Sequence, residues 1–127
     1  MKIRHLESDK APRSAGGYSQ SVEVSNNCRT LYISGQIPES RDEHVPTNFE
    51  DQAKLVWENI IHQLHAADMS LDNVVKHTTY LSKREYRTAN SKVRQEIFGN
   101  RKAALTVIIA DIYDEKWLLE IEAVAVG

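Results

Sequence analysis

The chain has 127 residues, with 16 Lys and Arg, 18 Asp and Glu, 5 His and a formal net charge of −2. That length suits one domain spanning residues 1–127, and 41% hydrophobic with 27% charged residues is a globular composition rather than a disordered one. The near-neutral balance argues against general nucleic-acid binding, and a single Cys excludes an internal disulfide framework or a Cys-rich zinc site. The start MKIRHLESDK lacks a signal-peptide apolar run, and no stretch approaches the ~18–20 apolar residues of a membrane span, so a soluble cytoplasmic protein is expected.

Strand and helix signals alternate along the chain. Residues 2–6 read as a short edge strand, and residues 10–20, with Pro12, Gly16 and Gly17, as a loop. Residues 21–24 and 30–37 flank the turn signal Asn26-Asn27 and together predict a hairpin that Pro38 ends. Residues 39–46 are a polar loop. Thr47 stands three residues before Glu50, a capping-box spacing, and Phe49, Ala53, Val56, Ile60, Leu64 and Ala67 then form the apolar stripe of a helix over about residues 48–67. That helix is expected to stop near Asp68.

Residues 74–81 are β-branched and aromatic and read as a strand. A second capping-box pattern, Ser82 to Glu85, opens a helix carried by Tyr86, Ala89, Val93 and Ile97 and closed by Gly99. Residues 104–112 form a strand apolar on both faces, residues 113–116 a turn, and residues 117–126 the last strand, with Glu120 and Glu122 on one face. The class is α+β, with two helices on one face of the sheet. Two helices cover only one face. Thr106, Ile108, Ala110 and Ile112 alternate with Leu105, Val107 and Ile109, so the second face requires a further cover, which points to another subunit.

Several residue types invite chemistry. His62 and His65 are i,i+3 on the long helix, but no third ligand is positioned, so they read as surface histidines. Cys28 has Arg29 beside it but no identifiable base, which argues against a nucleophile. Glu120 and Glu122 can do acid–base work if one is desolvated; otherwise they are a solvated strand face. Arg84, Arg87, Arg94 and Arg101, interleaved with Glu85 and Glu96, read as an ordinary solvated helix surface. The Gly-rich stretch Gly16 to Gln20 has no helix after it to cradle a phosphate and reads as a loop that places Tyr18 at a cleft.

Taken in order, Ala11-Pro12, Gly17-Tyr18-Ser19-Gln20 and Tyr32 to Pro38 resemble the opening of the Rid family, also called YjgF-like. Gln52, Asn59, Leu64 and Ala67, then Val75-Lys76 to Tyr80-Leu81, then Asn90, then Glu120 to Ala125 extend the resemblance over nearly the whole chain. It implies a chorismate-mutase-like fold, a six-stranded mixed sheet with two helices on one face, and a homotrimer with small-molecule clefts between subunits. It also implies hydrolysis of enamine or imine intermediates of amino-acid metabolism to 2-keto acids and ammonia, without a metal or organic cofactor.

In the deaminases of that family, an Arg at the start of the penultimate strand clamps the substrate carboxylate through two parallel charge-assisted hydrogen bonds. Here the motif falls on Ala103-Ala104-Leu105-Thr106, so Leu105 stands where the Arg is expected. Arg101, four residues earlier, would need a shifted register to replace it. Tyr18, Ser34, Gly35, Asn90 and Glu120 match the family's cleft positions. Tyr18 and Glu120 are therefore the candidate catalytic residues, and Ser34, Gly35, Asn90, Leu105 and Arg101 the candidate substrate-binding ones. Imino-acid deamination is expected to be weak or absent. The alternatives are a non-catalytic metabolite-binding or chaperone-like trimer, and an RNA-directed role of the ribonuclease or translation-inhibitor type, against which the net charge weighs.

Overall fold

The computed structural model describes residues 1–14, 16–26 and 29–127. The strands are β1 (Lys2–Leu6), β2 (Ser21–Ser25), β3 (Thr30–Gln36), β4 (Val74–Leu81), β5 (Ala104–Ile109) and β6 (Leu119–Val126), and the helices α1 (Phe49–Ala66) and α2 (Arg87–Phe98). The main sheet runs β3–β6–β4–β5, with β4 and β5 parallel and the other pairs antiparallel. This is the expected α+β arrangement of two helices on a mixed sheet.

The six strands do not form one continuous sheet. β1 and β2 pair with each other in a separate two-stranded ribbon, so β2 does not make the hairpin with β3 that the Asn26-Asn27 signal predicts. Asn26 does take a left-handed φ of 57°, while Asn27 and Cys28 lie outside the described residues. Ser19 explains the ribbon's position. Its N–H donates to the Ala103 carbonyl at 3.1 Å and its hydroxyl to the Lys102 carbonyl at 2.7 Å, while His5 of β1 meets the same hydroxyl at 2.9 Å. Buried Ser19 thus ties the ribbon to the start of β5, and β3 remains an edge strand.

Helix α1 follows its apolar stripe. Val56, Trp57, Ile60 and Leu64 are buried under the sheet, each stabilising the fold by about 1.5–3 kcal/mol. Its N-cap is Asn48 rather than Thr47: the Asn48 side chain accepts from the Asp51 N–H at 2.9 Å. After the helix, Asp68 adopts the left-handed conformation, φ 55°, as its place in the sequence implied. Buried Gln52 links three segments. Its amide donates to the Pro46 and Lys116 carbonyls, and its carbonyl accepts from the Leu118 N–H.

The capping box expected at Ser82 does not form. A single 3₁₀ turn, Arg84–Tyr86, precedes α2 instead, and Tyr86 stacks on Phe49 with ring centroids 4.7 Å apart, setting α2 against α1. Gly99, at φ 64°, ends α2 as predicted. β5 stops at Ile109, short of residue 112, and β6 begins at Leu119 because the Asp114 turn holds Lys116 and Trp117. Both sides of β5 are open: Val107, Ile108 and Ile109 are 39%, 44% and 37% exposed. Among the described residues, no helix is long and apolar enough to cross a membrane.

Candidate functional site

Alternation along β6 places Glu120 and Glu122 on the sheet face away from the helices, opposite Tyr80 and Thr78 of β4. The Tyr80 hydroxyl donates to Glu122 Oε2 at 3.2 Å. Glu120 is half-buried, and that burial, reinforced by the Glu122 charge, holds its carboxyl above the usual carboxylate range. The Tyr80 phenol is likewise raised, first by burial and then by Glu122.

Across the sheet, the β3 register slips between Ile33 and Gln36, so Ser34 and Gly35 sit in a bulge. A Cβ on Gly35 would overlap the Glu120 carboxylate and stand 2.8 Å from its Cδ. The absent side chain at position 35 is what lets Glu120 lie against β3. Ser34, Gly35 and Glu120 therefore form one group, beside a concavity of about 240 Å³ that Tyr32, Ser34, Thr78 and Glu122 help to line.

Tyr18 and Leu105 stand at the start of β5, away from this group, and Asn90 lies on α2. Ser19 holds Tyr18 alongside Ala103, at the start of β5. Leu105 pairs with His77 of β4, on the helix-facing side, and buried Asn90 projects from α2. Leu105 and Glu120 lie on opposite faces. In β4 register they stand level with His77 and Tyr80, which puts them three rungs apart, about 10 Å along the strands. A single chain does not bring Leu105 and Glu120 together.

Arg101 is occupied elsewhere. Its Nε meets Asp72 at 2.8 Å and its Nη1 donates to the Phe98 carbonyl at 2.9 Å, which fastens it at the end of α2. The four arginines are not the uniform solvated surface expected. Arg84 and Arg87 are exposed, but Arg94 is half-buried, with Tyr18 as an electrostatic neighbour. Its i+4 spacing from Asn90 was the available signal. His62 and His65 are exposed, as expected, and Cys28 lies outside the described residues.

His77 belongs to no motif in the sequence, yet the fold buries it in the core. It is 2% exposed, with edge contacts to Trp57 and Phe98 at ring-centroid distances of 5.4 and 4.9 Å, and among the described residues its Nδ1 has no hydrogen-bond partner. Burial first, then the charges of Arg94 and Lys76, push its pKa down to about 4, so it is neutral at pH 7. Strand parity with Thr79 and Leu81 was the clue to its burial.

A family model described as Endoribonuclease L-PSP matches residues 8–127. The chain is 36% identical over 119 residues to a RutC family protein of Pyrococcus horikoshii, covering 92% of each sequence. It is 35% identical over 124 residues to the 2-iminobutanoate/2-iminopropanoate deaminase of Rattus norvegicus, covering 95% of this chain and 88% of the relative. Among solved structures, a Yersinia pestis protein described as a conserved Rid family member of unknown function aligns over 100% of both chains, with a TM-score of 0.85 and 25% identity.

Proposed function

The chain belongs to the Endoribonuclease L-PSP family, to which the Rid, YjgF and RutC names also attach, and from that premise we propose that it acts as a homotrimer hydrolysing a C=N bond in clefts between subunits. In this reading Tyr18, Asn90 and Leu105 of one subunit face the Ser34–Gly35–Glu120 group of the next. The exposed apolar residues Val107, Ile108 and Ile109 support it, because a second copy would cover them. So does the similarity to an iminobutanoate deaminase.

One observation carries the chemistry: a half-buried carboxylate of raised pKa, seated in the gap left by Gly35. Such a group takes a proton from water as the water oxygen adds to the imine carbon. The carboxyl passes that proton to the nitrogen, giving a neutral carbinolamine; it then takes the hydroxyl proton and hands it to the amine, so that the C–N bond breaks, the carbonyl forms and ammonia leaves. Tyr18 donates a hydrogen bond to that nitrogen. Strand β5 offers only Leu105 where a carboxylate clamp would stand, so turnover of 2-imino acids is slower than in an arginine-bearing relative. Leu105 also supports a second reading, a metabolite-binding trimer without turnover.

The test generates imines from common amino acids with an amino-acid oxidase and follows their decay with and without the protein. Acceleration that Glu120→Gln removes is the expected result. Acceleration equal in both proteins would overturn the role of Glu120. A metabolite that raises the melting temperature yet is never converted would establish the binding-only reading.

A further inference from the structure

We propose that Arg94 of α2 is the cation of this cleft, and that the ligand it holds is a small carboxylate. The inference rests on the inter-subunit reading above. Arg94 lies one helical turn beyond Asn90, on the same face of α2. Its electrostatic neighbours are Tyr18, tied to the start of β5 through Ser19, and His77, the β4 partner of Leu105. Both neighbours belong to the Leu105 end of the sheet, where β5 itself supplies no charge.

Among the described residues Arg94 and Arg101 are the Lys and Arg side chains that are not fully exposed, and of these two only Arg101 meets a carboxylate. Arg4, Lys83, Lys92 and Arg101 each meet a carboxylate within 4.0 Å, but among the described residues Arg94 meets none, and its guanidinium donates to no protein group. It is nevertheless half-buried, enough that desolvation lowers its pKa. A partly dehydrated cation without a counter-ion is costly to keep, and an anionic ligand removes that cost. The neighbouring His77 does not supply the counter-charge, because it is neutral at pH 7. A guanidinium presents two parallel donors that match the two oxygens of a carboxylate.

The test is calorimetric titration with 2-oxobutanoate and with its uncharged amide, using the wild type, Arg94→Gln and Arg94→Lys. The wild type is expected to bind the acid more tightly than the amide. Arg94→Gln weakens the acid roughly ten- to a hundredfold and leaves the amide unchanged. Arg94→Lys, which keeps the charge and loses the fork, falls between, and it carries the test if the Gln variant fails to fold. Equal acid affinity in the wild type and Arg94→Gln would overturn the role of Arg94 and leave the inter-subunit reading standing. Equal weakening of acid and amide would overturn it as well, since the effect would then be structural. No binding of either probe by the wild type would bring down both readings.

Discussion

The carboxylate of Glu120 fills the space where any other residue at position 35 would carry its Cβ. The overlap involves the far end of a flexible side chain, so Gly35→Ala is expected to displace Glu120 rather than unfold the protein. Stability should fall by about 1 kcal/mol or less, while any Glu120-dependent turnover falls at least about tenfold. Melting curves and rates for Gly35→Ala, Glu120→Ala and the double variant check this. The alanine at 35 should cost less once Glu120 is gone, and additive effects would show that the two positions do not interact.

Glu122 sets part of the acidity of Glu120. The like charge two residues away adds to burial in holding the Glu120 carboxyl up. Glu122→Gln removes that charge, so the Glu120 pKa falls and the carboxylate persists to lower pH. If Glu120 is the base, the acid limb of the pH–rate profile moves to lower pH in Glu122→Gln. An unmoved limb would assign it to another group.

His77 makes the fold acid-sensitive. Its folded pKa of about 4 lies below the 6.5 of an unperturbed imidazole, so the unfolded chain binds the extra proton between those values. The stability it protects is complete above about pH 6.5 and falls away as the pH drops toward 4, by about 3 kcal/mol in all. Urea unfolding at a series of pH values should show this slope in the wild type and a flatter one in His77→Leu.

The open flank of β5 is the expected subunit contact. Val107→Asp or Ile109→Asp puts a charge where the trimer would bury a methyl surface. Light scattering coupled to gel filtration should give three chains of 14.5 kDa for the wild type and one for these variants. A monomeric wild type would defeat the trimer.

Much of this was legible in the residues. The α1 stripe, the β6 alternation, the two-faced β5 and the left-handed Asp68 are local patterns, and each stands where periodicity or backbone preference put it. Misreadings came where distant contacts decide. Thr47 and Asn48 are both good caps, and only the Asn48–Asp51 bond chooses between them. β2 leaves β3 because Ser19 bonds to a carbonyl 83 residues away, which no turn signal reports. Arg94 looked solvated because its helix carries alternating charges. Its burial comes from elsewhere in the fold, with the Tyr18 loop beside it.

The separate β1–β2 ribbon has a cost at the other end of the sheet. No described strand lies along the outer side of Leu31–Gln36, which leaves that stretch of main chain without a strand partner among the described residues. Such a seam accepts any extended peptide that meets it, other copies of the same chain included. On heating or concentration, this border is where strand pairing between molecules is expected to begin.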